Sequence, residues 1–136
     1  MLNAPIGKLR RDEFLRAVRD NGVMLSHIGG VRYRSDRANL IGIASASMSR
    51  KNTWFLGIKE DDYHSIVLLC EGDDQHVYNF ILSKKFLIEK MQFLSKDEND
   101  QLKFRIRRKT EGFFIDIPSL GHINVDEFID KYENLN

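Results

Sequence analysis

The chain has a single cysteine, Cys70, so it cannot build a disulfide framework of its own. Cys70 closes the apolar run Ile66-Val67-Leu68-Leu69-Cys70, which predicts a buried, inert thiol and suits a reducing cytosol. No stretch approaches the roughly 18 consecutive apolar residues of a membrane span. The opening MLNAPIGKLRRDEF lacks the apolar core of a signal peptide, and the expected location is the cytoplasm. No glycine-rich phosphate loop precedes a helix, because Gly29-Gly30 reads as a hairpin turn. No serine sits in a Gly-x-Ser-x-Gly elbow. The four histidines, His27, His64, His76 and His122, have no partner at a metal-ligand spacing and read as surface or strand-end residues. No internal repeat, low-complexity stretch or linker interrupts the chain. Neither catalytic residues nor a metal or cofactor site is expected.

At 136 residues, 42% hydrophobic and 30% charged, the composition is that of one ordinary domain spanning 1–136. The net charge of +1 conceals a strong asymmetry. Residues 1–58 hold ten Lys/Arg against four Asp/Glu, and residues 59–102 hold five against ten. The segment KFRIRRKT, 103–110, has five basic groups and no acid, whereas 111–136 has one base against six acids. Such segregation points to a positive surface for a polyanion and a negative surface elsewhere.

Residues 8–20 place Phe14, Leu15 and Val18 on one helical face, and Asn21-Gly22 is a stop signal. VMLSHIGGVRYRS reads as a hairpin, and Asp36-Arg37-Ala38-Asn39 as a turn. Strands follow at Leu40 to about Ala46 and Trp54 to Ile58, joined by a turn at Ser49–Asn52. Two more run from His64 to Cys70 and from His76 to Leu82. Ser83 is a candidate N-cap for a helix carrying Phe86, Leu87, Met91 and Leu94. Lys103–Arg108 and Phe113–Ile117 form a hairpin, PSLGHI is irregular, and NVDEFIDKYENL reads as a terminal helix with Asn124 as its cap. The expected fold is α+β, a mostly antiparallel sheet or open barrel of about eight strands with three helices.

The basic stretches carry the functional signal. Arg32 and Arg34 share one strand face in VRYRSDR, with Arg37 in the turn beyond. Lys103, Arg105 and Arg107 share one face in KFRIRRK, while Phe104 and Ile106 turn to the core. A row of three cations on one strand repels itself, and a polyanion would relieve it. The segment SASMSRKN adds Ser47, Ser49, Arg50, Lys51 and Asn52, side-chain types that bond phosphate oxygens and base edges. The acids at Glu60-Asp61-Asp62 and Glu71-Gly72-Asp73-Asp74 read as turn residues.

The segments NTWFLGI, YHSIVLLCEG, HVYNFILSKKFL and KFRIRR resemble the later strands of bacterial restriction-endonuclease-like proteins. The resemblance covers about residues 40–108. In the PD-(D/E)XK nucleases the strand before the Trp strand carries Glu-x-Lys, whose carboxylate helps hold Mg²⁺. The equivalent stretch here, LIGIASAS, has neither acid nor lysine, and Asp36 stands without a partner. The resemblance therefore implies a non-catalytic relative or a DNA-recognition module. A looser similarity, of architecture alone, is to B3-like domains that serve some restriction enzymes as specificity modules.

The expected function is non-catalytic binding of double-stranded DNA in a restriction-modification setting, through Arg32, Arg34, Arg37, Ser47, Ser49, Arg50, Lys51, Asn52, Lys103, Arg105 and Arg107. The alternatives are a metal-dependent nuclease using Asp61, Asp62, Glu71 or Asp73, and an interaction subunit with a protein partner or a second copy of itself.

Overall fold

The computed structural model describes residues 6–136, with side chains from Arg10 onward. Met1–Pro5, part of the stretch read above for a signal peptide, lie outside the described residues. The elements in order are α1 (Ile6–Asp20), β1 (Leu25–Gly29), β2 (Arg32–Ser35), β3 (Leu40–Ser47), β4 (Thr53–Lys59), β5 (Ser65–Glu71), β6 (Val77–Leu82), α2 (Lys84–Lys90), β7 (Gln101–Lys109), β8 (Gly112–Ile117) and β9 (Gly121–Asn124). The class is α+β. No helix among the described residues is long and apolar enough to cross a membrane.

The strands form two open sheets in place of one sheet or a barrel. The first runs β1-β2-β3-β5-β6 and the second β4-β7-β8-β9. All neighbours are antiparallel except β3 and β5, which pair in parallel from Ile41↔Ser65 to Ser47↔Glu71. The connection between them passes through β4, in the other sheet. Strands β3 and β4, adjacent in sequence, are thus not ladder partners. They meet at a corner, where Ser49 N–H donates to Thr53 O at 3.1 Å and Thr53 N–H to Arg50 O at 3.0 Å. Asn52 turns this corner at a φ of 59°, a left-handed conformation that asparagine tolerates.

Strand β5 explains the stacking. Ile66, Leu68 and Cys70 face the second sheet, while Val67 and Leu69 face α1 and the C-terminal segment. With both faces covered, its sequence loses the polar alternation of a surface strand. Phe14 and Val18 seal one side, and Trp54, Leu56, Ile58, Phe104 and Ile106 seal the other. Gly42 of β3 permits this closeness, since a Cβ there would lie 2.6 Å from Ile58 Cδ1 and 2.7 Å from Tyr63 Cε1. Helix α1 ends as Asn21-Gly22 predicts: Gly22 is left-handed at φ 84°, and Val23 N–H returns to Val18 O at 3.1 Å.

Two expectations are corrected. PSLGHI ends in strand rather than irregular chain, because Gly121–Asn124 pair with β8 as β9. The terminal helix is replaced by two 3₁₀ turns, Asp126–Phe128 and Tyr132–Leu135. Between them Ile129 bridges Phe80 and Asp130 N–H donates to Asn79 O at 2.9 Å. Pairing with the edge of β6 takes the backbone groups a helix would need, and tertiary contacts override the helical spacing of Val125, Phe128, Ile129 and Tyr132.

Candidate nucleic-acid interface

The inner face of the second sheet is core; its outer face is open. Alternation along β7 buries Leu102, Phe104 and Ile106 and turns Lys103, Arg105 and Arg107 outward. On β4 the same alternation buries Trp54, Leu56 and Ile58 and leaves Phe55 46% exposed, a large value for phenylalanine. Register then fixes the neighbours. Phe55 lies opposite Arg105 and Thr53 opposite Arg107 on one side of β7. On the other side Arg107 faces Phe114, and across β8 Asp116 faces His122. A groove of about 660 Å³ crosses this face between Phe55, Lys103, Arg105, Asp116 and His122, with Asp97 on its rim.

The cation row has an internal counter-ion. Arg107 Nε donates to Asp116 Oδ2 at 2.8 Å, and Arg105 Nε lies 3.5 Å from the same oxygen. His122 Nδ1 sits against Asp116 Oδ1. One carboxylate thus hydrogen-bonds Arg107 through Nε and forms a longer ion pair with Arg105, whose buried Nε has no hydrogen-bond partner among the described residues. Among the described residues the terminal nitrogens of both guanidiniums have no hydrogen-bond partner. The self-repulsion inferred from sequence is therefore relieved in part within the chain, while Lys103, Arg105, Arg107 and Lys109 still outnumber Asp116 on this face. Arg105 also lies over Phe55, its guanidinium carbon 5.4 Å from the ring centre, and Lys109 Nζ is 5.3 Å from the Phe114 ring.

The β3–β4 corner adjoins the Arg107 end of the row. Arg50 and Lys51 are exposed there and form no ion pair among the described residues. Asn52 is committed elsewhere: its side-chain oxygen accepts from Arg108 Nε at 3.2 Å and Nη2 at 2.9 Å, and its carbonyl accepts from Arg108 N–H at 2.8 Å. Arg108 in turn donates to the Tyr78 hydroxyl at 2.7 Å and lies over the Trp54 and Tyr78 rings. Asn52 thus shapes the corner and pins it to β7. Ser49 is exposed beside it. Ser47 is exposed at the end of β3, where its hydroxyl accepts from Arg10 Nη2 and lies near Glu71 Oε1.

The other basic group sits apart. Arg32 and Arg34 pair with Gly42 and Leu40 at the start of β3, whereas the corner follows Ser47 at its end, roughly 20 Å along the strand. Arg32 Nε is 3.5 Å from Asp61 Oδ2, and Arg34 Nη1 donates to Ala38 O at 3.0 Å. Arg37 is exposed in the next turn. The structure therefore joins Lys103, Arg105, Arg107, Ser49, Arg50 and Lys51, and separates Arg32, Arg34 and Arg37 from them.

The carboxylates of the nuclease alternative do not converge. Asp61 and Asp62 precede β5, while Glu71 and Asp73 lie at its far end. Each faces a cation: Asp61 with Arg32, Asp62 with Lys84 at 3.2 Å, Glu71 with Arg10 at 2.7 Å, and Asp73 with Arg108 at 3.9 Å. Among the described residues no three His, Cys, Asp or Glu side chains are grouped to hold a metal ion.

Sequence reasoning passed over Phe55, Phe114, Asp116 and His122. The signal for two of them was available, because the hairpin register that pairs Arg108 with Phe113 carries Arg107 to Phe114 and Arg105 towards Asp116. His122 could be placed only once β9 was known. No family model matches the chain, and no curated protein matches it either.

Proposed function

We propose that the chain binds nucleic acid through the outer face of the second sheet. The observation that carries this reading is the row Lys103–Arg105–Arg107, which lies on an open face and continues into the exposed Arg50–Lys51 corner. Asp116 hydrogen-bonds Arg107 through Nε and ion-pairs with Arg105, which leaves the terminal nitrogens of both arginines for acceptors such as phosphate oxygens. Backbone contacts of this kind position a nucleic acid without reading its sequence. Duplex DNA and single strands both supply the phosphates. A restriction-modification setting enters this reading only through the resemblance of the strands, and Arg32, Arg34 and Arg37 would serve a second, separate contact.

The test is a salt series. Phosphate contacts release counterions, so the logarithm of the binding constant falls linearly with the logarithm of salt concentration. The parent should bind labelled oligonucleotides with a clear negative slope. Arg50→Ala with Lys51→Ala should weaken binding and flatten the slope by about one unit for each phosphate-binding cation removed. The melting temperature should barely move, because exposed unpaired turn charges contribute little to stability. Parent protein that binds neither duplex nor single strand at low salt would refute the reading.

A further inference from the structure

The outer face carries more than charge, and its aromatic rings bear on which form of nucleic acid it takes. Phe55 is nearly half exposed at mid-strand on β4. Leaving that much ring in water has a free-energy cost that a surface chosen only for phosphate contact has no reason to bear. Phe114 stands on the opposite side of the cation row, one residue pair further along, so the two rings flank β7 diagonally. Strand geometry sets their Cα atoms roughly 12 Å apart. Between them Lys103, Arg105 and Arg107 repeat at about 6.7 Å, a spacing that an extended strand can follow phosphate by phosphate.

We infer that this face binds single-stranded nucleic acid, with a base stacked at Phe55, a second at Phe114, and the backbone tracking the β7 cations. The inference rests on the reading of nucleic-acid binding above and deepens it. In a duplex the base faces are hidden inside the stack and only edges and phosphates are offered, so the exposed Phe55 ring and the partly exposed Phe114 ring have nothing to receive. An unpaired base offers its whole face, and aromatic rings and guanidinium planes are the side chains on which unpaired bases stack. Phe55 and Arg105 supply one of each at the same point, 5.4 Å apart. Asp116 and His122, paired across β8 and β9, line the groove with Phe55 and Arg105. The groove deepens the face beside Phe55 rather than forming a ridge, which suits a splayed strand better than a rigid double helix.

The experiment compares four probes by fluorescence anisotropy at fixed low salt: a 20-mer single-stranded DNA, the same sequence as RNA, the same sequence as a duplex, and an abasic 20-mer that keeps the phosphates and lacks bases. The parent is expected to bind both base-bearing single strands at least ten-fold more tightly than the duplex or the abasic strand. The RNA and DNA arms tell whether a 2′-hydroxyl is sensed, and either preference is compatible with stacking. Phe55→Ala should weaken single-strand binding by about 5- to 150-fold, the span of one base–aromatic stack, and leave abasic binding unchanged. Phe55→Trp should restore single-strand binding, and its indole fluorescence should be quenched on titration. Phe55 is exposed, so neither variant should unfold the chain. Duplex bound as tightly as single strand, or Phe55→Ala binding single strand like the parent, would overturn the stacking inference while leaving nucleic-acid binding in place. Loss of binding to all four probes would overturn both.

Discussion

The indole Nε1–H of Trp54 donates to the carbonyl oxygen of Glu71 at 2.7 Å. Trp54 lies near the start of β4 in the second sheet, and Glu71 ends β5, an interior strand of the first. A fully buried side chain therefore carries both apolar packing and a polar tie between the sheets. Glu71 adds a third layer, since its carboxylate accepts from Arg10 of α1 at 2.7 Å.

Trp54→Ala should destabilise the fold by about 3–5 kcal/mol, as large aromatic truncations in cores do. Trp54→Phe keeps most of the apolar contact and removes the donor. The Glu71 carbonyl would not be orphaned, because Met48 N–H also donates to it at 3.1 Å. The cost of Trp54→Phe should therefore be smaller, about 1–2 kcal/mol. Urea melts of both variants measure this, and a cost below about 1 kcal/mol for alanine would contradict the buried position.

What was legible in the sequence follows periodicity. The alternation of Trp54, Leu56 and Ile58, and of Lys103, Arg105 and Arg107, assigned each side chain to its face correctly, because a half-buried strand shows its period of two. Ser83 was legible as an N-cap, and its hydroxyl accepts from Phe86 N–H at 3.1 Å. The partition into two sheets was not legible. Neighbouring strands usually pair, and nothing in SASMSRKN announces that the chain leaves one sheet for another. Asn52 illustrates the limit for the site. Its residue type suited a phosphate contact, yet its amide oxygen is taken by Arg108, 56 residues away, a pairing that local pattern cannot reveal.

Alkaline pH should destabilise the protein in two stages. Burial pushes the Cys70 thiol well above its ordinary range, and burial with the nearby Asp61 carboxylate pushes the Tyr63 hydroxyl up to about 12. Burial also raises Tyr132. These groups hold their protons more tightly folded than unfolded. Their contribution is complete below the unfolded values, about 8.5 for cysteine and about 10 for tyrosine. As pH rises past each value the unfolded chain loses a proton that the folded chain keeps, and stability falls. The melting temperature should decline from about pH 8.5 and more steeply from about pH 10. Cys70→Ala should abolish the first stage and keep the second, and a thiol reagent should label Cys70 only on unfolding.

Asp116 both restrains and neutralises the arginines of the proposed interface, and two substitutions separate those roles. Asp116→Asn keeps an acceptor for Arg107 Nε and removes the negative charge. Removing a charge at about 7 Å from a bound phosphate, at an effective dielectric constant of about 40, is worth roughly 1 kcal/mol, or about five-fold in affinity. Single-strand binding at low salt should rise by about that factor, with a steeper salt slope. Asp116→Ala removes the acceptor as well. Arg105 and Arg107 then regain rotamer freedom that binding must take back, at about 0.5–1.5 kcal/mol each, which offsets the gain in charge. Its affinity should match or fall below that of the parent. Both variants should lose about 1–2 kcal/mol of stability, because Arg105, Arg107 and His122 lose their shared anion. A drop in affinity for Asp116→Asn equal to that for Asp116→Ala would mean that the full charge of Asp116, rather than its acceptor geometry, holds the arginines in place.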